Sequence, residues 1–284
     1  MSVAEMPGTM LAPAKLNLCL YVGPKREDDL HEIRSLFEPL ELADELKLTE
    51  ASADEVICEG IEGPDLTAKA LAALRENGWS GPPLRIEVTK RVPVAAGLGG
   101  GSADAAAVLR LARGQIEGLR AVAAEIGADV PSQLQPRACL VAGAGEVIEP
   151  APPPAEHGVV LIPQAEGLAT AGVYAEADRL GTPRGEAELE VIRRQLRDAV
   201  DQGGSPLDYR EHLVNDLQPA AISLRPEIED ALGALEGAGA AHAMVTGSGP
   251  TAFGLYPTID AALTAAEGLR EAFPRAIATA PLSV

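Results

Sequence analysis

Hydrophobic and polar positions alternate near the N-terminus, over "AKLNLCLYV" at residues 14–22. Three leucines fall on one face of this stretch, and Lys15 and Asn17 fall on the other. A period of two predicts a half-buried β-strand. Because a cation beside an amide is unusual on a plain solvent face, the polar side of this strand is a candidate site.

The next hydrophobic patterns predict a second extended stretch, a helix and a strand. The extended stretch covers residues 34–50, where Pro39 predicts an interruption. Asp65 and Gly78 are the predicted N-cap and stop of a helix. The alternation in "LRIEVTK" at residues 84–90 predicts the strand, which leads into "PVAAGLGGGSA" at residues 93–103.

Beyond residue 103, strands and helices continue to alternate. The patterns predict a helix from Ser102, a second helix over Ile116–Ile126, a hairpin over 137–150 and a strand at 158–164. They further predict a helix capped by Thr170, helices over 186–200 and from Pro226, a last helix capped by Thr258 and a final strand near Ala276. "PAPPPAEHG" at 150–158 is the best domain boundary. We therefore predict an α+β fold with two domains, 1–152 and 153–284.

Composition limits the class of protein and its partners. The 284 residues carry a net charge of -19, with 46% hydrophobic and only 3% aromatic residues. This acidity argues against nucleic acid and anionic membranes as partners, since both require a basic surface. Three widely spaced cysteines and the lack of a recognisable signal peptide predict a cytoplasmic protein.

Four glycines lie between Pro93 and Ser102, after a predicted strand and before an alanine-rich helix. Such a loop offers unpaired N–H groups and the positive end of a helix dipole to an anion. The Ser102 hydroxyl is placed to contact phosphate or its metal, or to act as the N-cap. The chain has no G-x-x-x-x-G-K-[ST] motif, which excludes a Walker A site. The loop therefore predicts phosphate binding of another kind.

A second glycine loop, "GSGPTA" at residues 247–252, matches the G-x-G-x-x-A form of the dinucleotide fingerprint. The next residues, "FGLY" and then Pro257, predict a strand, whereas the fingerprint requires a helix. A dinucleotide-dependent oxidoreductase is therefore disfavoured.

Two single residues are candidates whose role the local sequence leaves open. Asp129 in "GADVP" lies after a predicted helix and is either a general base or the cap of the next helix. His31 in "DDLHEI" is either a ligand contact or a structural histidine.

The combination of motifs resembles the GHMP kinases. "PVAAGLGGGSA" resembles the phosphate-binding motif of that superfamily, and "TGSGPTAFG" resembles its C-terminal glycine motif. Within it, "APAKLNLCLYV", "LHEIRSLFEPLELADEL", "GADVP" and "HLVNDLQPA" resemble the kinases that act on a cytidine diphosphate-linked methylerythritol. The resemblance implies a ribosomal protein S5 domain 2-like N-terminal domain, a ferredoxin-like C-terminal domain, and ATP with Mg²⁺ in the cleft between them.

The resemblance also implies the reaction and the roles of individual residues. The 2-hydroxyl of the methylerythritol would be phosphorylated, in the non-mevalonate isoprenoid pathway, by a monomer or homodimer. Asp129 would accept the hydroxyl proton, and Lys15 would keep Asp129 ionised and neutralise developing charge. No residue is assigned to the metal. The expected ATP-binding residues are Lys90, Pro93, Val94, Ala95, Ala96, Gly97, Leu98, Gly99, Gly100, Gly101, Ser102 and Ala103. The expected substrate-binding residues are Asn17, Leu30, His31, Tyr174, Gly247, Ser248 and Gly249.

One position departs from the pattern that the resemblance implies. These kinases read G-Y-H where this chain has "DLH", so Leu30 replaces an aromatic residue expected to stack on cytosine. The expected hydrogen-bonding residue, His31, is kept, and Tyr174 is the second expected aromatic residue. The departure leaves two alternatives open, a GHMP kinase of altered specificity and a nucleotide-binding homologue without catalysis.

Overall fold

The computed structural model describes residues 8–58 and 65–283. Contacts divide the chain into two compact units that alternate along the sequence. Among the described residues, unit one contains 8–14, 42–58, 65–93 and 99–136, and unit two contains 15–41, 94–98 and 137–283. The segments of the two units alternate along the chain. The predicted domains, 1–152 and 153–284, are instead consecutive, and their bounds stay a prediction.

Two long strands, β1 (Thr9–Lys25) and β2 (His31–Glu50), contribute residues to both units. In unit one, residues 45–50 of β2 pair antiparallel with β4, which pairs in parallel with β3. The other elements of unit one are β3 (Glu55–Cys58), β4 (Leu84–Thr89), α1 (Leu66–Glu76), α2 (Gly100–Leu109), a 3-10 turn (Arg110–Ala112), α3 (Leu119–Ile126) and α4 (Val130–Gln133).

The core of unit one forms around α2, whose sequence "GGSADAAAVL" is rich in small residues. Alanines on α2 let α1 pack closely against it, and both helices bury apolar side chains together with β4. Trp79, directly after α1, belongs to the same core. The glycine loop at 93–103 therefore leads into a rigid, buried helix.

Unit two contains two groups of strands. Residues 33–37 of β2 pair antiparallel with β5, and β5 pairs with β6. A separate antiparallel sheet has the order β10-β7-β9-β8. The elements are β5 (Cys139–Gly143), β6 (Val147–Pro150), β7 (Gly158–Ile162), α5 (Thr170–Leu180), α6 (Glu186–Asp201), a 3-10 segment (Pro206–His212), α7 (Gln218–Leu224), α8 (Glu227–Gly237), β8 (His242–Val245), β9 (Ala252–Tyr256), α9 (Ile259–Leu269) and β10 (Ile277–Thr279).

Helices α8 and α9 pack against the separate sheet and bury its apolar side chains. Helix α8 immediately precedes the β8–β9 pair, and α9 connects β9 to β10, so the motif reads β-α-β-β-α-β. This arrangement confirms the ferredoxin-like C-terminal part and the α+β class.

Four local predictions are corrected by the structure. Strand β1 is buried on both faces, so it is not half-buried. Strand β2 continues through Pro39 without interruption. Pro39 lies beyond residues 33–37, which pair with β5, so the N–H group that proline lacks is not needed for that pairing. Helix α3 begins at Leu119, because Gly118 with φ 73° precedes it, and not at Ile116. Thr170 is the first residue of α5, whose N-cap is Ala169.

Across residues 8–58 and 65–283, no helix combines the length and apolar character needed to span a bilayer.

Candidate active site

Strand β1 carries Lys15 and Asn17 into the interior of unit two. Lys15 is 5% exposed and Asn17 is 2% exposed. The Lys15 backbone N–H donates to the Leu98 carbonyl at 2.9 Å, and the Asn17 N–H donates to the Thr246 Oγ1 at 2.9 Å. Because Leu98 lies in the first glycine loop and Thr246 directly precedes the second, the strand is bonded to both loops.

The two glycine loops meet within unit two, backbone against backbone. Gly97 has φ 78°, and a Cβ on it would lie 2.5 Å from the Thr246 carbonyl oxygen. Gly247 has φ 57°, and its Cβ would lie 3.2 Å from both the Gly97 carbonyl oxygen and Asn17 Oδ1. A left-handed backbone and such a short approach both favour glycine. These two glycines therefore have a physical requirement beyond loop flexibility.

Asn215 holds the second loop in place. Its Nδ2 donates to the Val245 carbonyl at 2.7 Å and to the Gly247 carbonyl at 2.8 Å, and its Oδ1 accepts from the Leu217 N–H at 2.9 Å. The sequence patterns assigned Asn215 no role, although it lies within the motif "HLVNDLQPA". That motif is the signal that could have identified it.

The Lys15 ammonium has a defined set of neighbours in unit two. Its Nζ donates to Asn17 Oδ1 at 2.5 Å and lies 4.6 Å from the centroid of the Phe37 ring. An ammonium at this distance from a ring face is attracted by the ring quadrupole. Asn17 Nδ2 in turn donates to Ser35 Oγ at 2.9 Å. The predicted cation and amide are thus directly bonded to each other.

In unit one, the end of the first glycine loop forms the N-terminus of α2. Gly99 is the N-cap with φ 68°, and no side chain caps the helix. Asp44 Oδ1 accepts from the backbone N–H groups of Arg91 and Val92, at 2.6 and 2.8 Å. A Cβ on Gly100 would lie 3.3 Å from Asp44 Oδ2. A buried carboxylate that the sequence patterns missed therefore fixes the chain where it enters the loop.

Lys90 is bound by two buried carboxylates within unit one. Its Nζ donates to Asp44 and, at 2.8 Å, to Asp104 Oδ2. Burial lowers the pKa of Lys90, but the two carboxylates outweigh burial and the pKa is raised. Burial raises the pKa of Asp104 to about 7, and its Oδ1 has no hydrogen-bond partner among the described residues. The contact of Lys90 with ATP stays a prediction.

Asp129 lies in unit one at the N-cap position of α4. This is the position that the capping alternative predicts, but the side chain makes no capping hydrogen bond. Ser132 Oγ donates to the Asp129 carbonyl at 2.8 Å, which ties the loop to the helix.

Ser102 is the third residue of α2 and is not its N-cap, since that position is Gly99.

A second cluster in unit two contains the predicted base-binding residues. The rings of His31 and Tyr174 stack with centroids 5.2 Å apart, and Leu30 is 52% exposed. His31 Nε2 lies 2.9 Å from Asp178 Oδ1. Burial lowers the pKa of His31, although Asp178 opposes this, so the neutral ring is favoured at neutral pH. The sequence patterns missed Asp178, whose only signal is its position four residues after Tyr174 on α5.

Ser248 of the second loop lies close to Thr170 at the start of α5, with 3.1 Å between Ser248 Oγ and Thr170 Oγ1.

Within the described parts of the chain, no group of three or more His, Cys, Asp or Glu side chains is arranged to hold a metal ion. Protein side chains in these parts therefore do not form a metal cage of their own.

The fold and the glycine loops define the class of protein. The family model described as "GHMP kinases N terminal domain" matches residues 65–135, and that described as "GHMP kinases C terminal" matches residues 192–275. A homoserine kinase structure from Cytophaga hutchinsonii has the same fold, with a TM-score of 0.69 at 15% identity over 99% of this chain and 97% of that one. The chain has the two-domain fold of the GHMP kinases.

Closer relatives define the family within this class. A 4-diphosphocytidyl-2-C-methyl-D-erythritol kinase of Anaeromyxobacter dehalogenans is 40% identical over 84% of this chain and 77% of its own, and one of Kineococcus radiotolerans is 36% identical over 85% and 79%. A crystal structure of 4-(cytidine 5'-diphospho)-2C-methyl-D-erythritol kinase aligns with a TM-score of 0.79 and 33% identity, over 97% of this chain and 100% of that one. The chain belongs to the family of 4-diphosphocytidyl-2-C-methyl-D-erythritol kinases.

Proposed function

We propose that this chain transfers the γ-phosphate of ATP to the 2-hydroxyl of 4-diphosphocytidyl-2-C-methyl-D-erythritol, in the non-mevalonate isoprenoid pathway. One observation carries the proposal: the buried Lys15–Asn17 pair is bonded to Leu98 in the first glycine loop and to Thr246, which directly precedes the second. A cation held rigidly beside two glycine-rich backbones suits phosphoryl transfer, which depends mainly on positioning and on charge neutralisation.

We propose the segment 93–103 as the binding site of the ATP phosphates. The uncapped N-terminus of α2 offers backbone N–H groups and a positive dipole end to an anion. Mg²⁺ usually keeps several waters and takes further ligands from substrate phosphates. When bound, that ion would neutralise phosphate charge.

Asp129 is the proposed general base, and Lys15 is the proposed electrostatic catalyst. A carboxylate accepts the proton as the hydroxyl oxygen attacks phosphorus, and the lysine ammonium stabilises the negative charge of the transferred group. Asp129 lies at the N-terminus of α4, where its side chain makes no capping hydrogen bond.

The cluster of His31, Tyr174 and Asp178 is the proposed site of the cytidine base. A neutral His31 that donates from Nε2 to Asp178 has Nδ1 as an acceptor, and the exocyclic amine of cytosine is a matching donor. Tyr174 supplies an aromatic face, and the exposed Leu30 supplies apolar surface in place of a second ring. Base–aromatic stacking contributes about 1–3 kcal/mol per base, so we expect weaker cytidine binding than a second ring would give.

The test is ADP release measured with 4-diphosphocytidyl-methylerythritol, homoserine and mevalonate in parallel. We expect turnover with the first compound, and turnover with another would favour a GHMP kinase of altered specificity. Asp129→Asn should lower kcat by about 10²–10⁴-fold, the usual contribution of a positioned base. The control is Glu125→Gln, an exposed carboxylate on α3. Near-normal turnover of Asp129→Asn would remove Asp129 from this role.

We also propose a cytoplasmic location and a monomeric or homodimeric state, in two consecutive domains, 1–152 and 153–284. Light scattering of the purified chain measures the oligomeric state directly.

A further inference from the structure

A chain of hydrogen bonds runs from a backbone carbonyl of β1 to the Lys15 ammonium, all within unit two. Ser35 on β2 is 1% exposed, and its Oγ lies 2.5 Å from the Cys19 carbonyl oxygen. Asn17 Nδ2 lies 2.9 Å from the same Oγ, and Asn17 Oδ1 accepts from Lys15 Nζ at 2.5 Å. No role for Ser35 is assigned by the motifs or by the proposed reaction.

The direction of these bonds is determined by chemistry. A carbonyl oxygen only accepts, so the Ser35 hydroxyl donates its one hydrogen to the Cys19 carbonyl. Toward Asn17, the hydroxyl oxygen therefore only accepts, and the amide must present its NH₂ group to it. The carbonyl end of the Asn17 amide then faces the ammonium of Lys15.

The opposite orientation of this amide would be unfavourable for Lys15. The two ends of an asparagine amide have nearly the same shape, so packing alone distinguishes them poorly. If the amide rotated, its NH₂ group would face the ammonium, donor against donor. Both Ser35 and Asn17 are buried, so water would not restore the lost bond.

We propose that Ser35 is a positioning residue, which orients the Asn17 amide through its hydroxyl and thereby holds the Lys15 ammonium in place for phosphoryl transfer. This role rests on the proposed function of Lys15. Ser35 itself contacts Asn17 and the backbone of β1, and it acts on the reaction only through Asn17.

The first experiment compares Ser35→Thr with Ser35→Val, which have the same shape and differ in the hydroxyl. We expect the Thr variant to keep kcat within about threefold of the wild type, and the Val variant to lose about tenfold or more, since a bond to a charged group is affected. The KM for ATP should stay within about twofold in both variants, because no atom of Ser35 is proposed to contact the nucleotide. A Val variant with the kcat of the Thr variant overturns the proposal.

A second comparison separates positioning from a merely structural role. In an Asn17→Ala background, Ser35→Val and Ser35→Thr should have equal kcat, because the residue through which Ser35 acts is gone. If Ser35→Val lowers kcat, relative to Ser35→Thr, as much in that background as in the wild type, the proposal is overturned. If the added methyl group prevents folding of both variants, Ser35→Ala, which adds no atom, takes the place of the Val variant and is compared with the wild type.

The orientation of the amide also has a readout that does not depend on activity. The side-chain NH₂ signal of Asn17 in ¹⁵N–¹H NMR, assigned by its loss in Asn17→Ala, should exchange slowly with solvent in the wild type and in Ser35→Thr. It should exchange at least about tenfold faster in Ser35→Val, in which the NH₂ group has lost its acceptor. A wild type without turnover overturns the proposed function, whereas equal exchange in all variants overturns the positioning by Ser35.

Discussion

The two glycine loops have similar sequences but meet different physical demands. The first leads into α2, where the backbone supplies free N–H groups and the carboxylate of Asp44 fixes the entry to the loop. The second joins β8 to β9, has no helix behind it and is held by Asn215. The first loop is therefore suited to bind an anion, whereas the second is shaped to approach Gly97 and Asn17 closely.

The largest effect is expected from Gly97→Ala in the first loop. The new Cβ would lie 2.5 Å from a backbone oxygen, Thr246 O, and neither backbone segment moves freely. Because this clash would displace the proposed phosphate-binding loop, we expect the KM for ATP to rise by more than about tenfold. The Tm should also fall, because the left-handed backbone alone costs roughly 1–2 kcal/mol.

The matched control is Gly114→Ala. Gly114 has nearly the same φ, 77°, but a Cβ there meets no atom within 4 Å. Its variant should lose stability from backbone strain and keep the KM for ATP. Equal KM values in the two variants would contradict the close approach of the loops.

A smaller effect, on kcat, is expected from Gly247→Ala in the second loop. Its Cβ would lie 3.2 Å from Asn17 Oδ1, an atom that has to yield by only a few tenths of an ångström. Because this atom accepts from Lys15, we expect kcat to fall by about three- to tenfold, as a weakened bond to a charged group would give. Gly181→Ala, with φ 71° and open space around its Cβ, is the control and should keep kcat. If Gly247→Ala changed only the KM for ATP and left kcat unchanged, the second loop would be the one suited to bind ATP, contrary to this comparison.

The last expected effect concerns stability near the first loop. Burial raises the pKa of Asp104 from 3.8 to about 7, and Asp44 and Lys90 face it. The folded protein therefore keeps a proton that the unfolded chain has lost, and this contribution to stability disappears as the pH rises toward 7. Lys90, whose pKa is raised, stays charged throughout this range.

The measurement is the free energy of unfolding from pH 5 to pH 7. In the wild type it should fall, relative to Asp104→Asn, by up to about 1.4 kcal/mol per pH unit. Glu50→Gln, an exposed carboxyl at the end of β2, should keep the wild-type slope. Parallel curves for the wild type and Asp104→Asn would show that Asp104 does not bind this proton.

Local patterns predicted the helices and strands correctly where one period or one motif was sufficient. The alternation over 14–22 placed Lys15 and Asn17 on one face, and both are indeed bonded together. The pattern could not predict that the face is buried, since burial of β1 depends on segments far along the chain, such as 214–216.

The supporting side chains could not be predicted, because each acts across a large sequence separation. Ser35 reads as an ordinary polar residue of a strand, and Asp44 reads as a surface charge. Their roles depend on Asn17 and on the N–H groups of Arg91 and Val92, which reach them only after folding.

The sequence by itself determined the α+β class, both glycine loops, the helix after the first loop and the residue types suited to phosphoryl transfer. These features depend on short-range periodicity, on glycine spacing and on helix caps, all of which act within a few residues. Only the tertiary structure decided which carboxylates bind Lys90, which end of the Asn17 amide faces Lys15 and why Gly97 must be glycine. Hydrogen-bond direction and steric contact are properties of atoms in space, and sequence neighbours do not encode them.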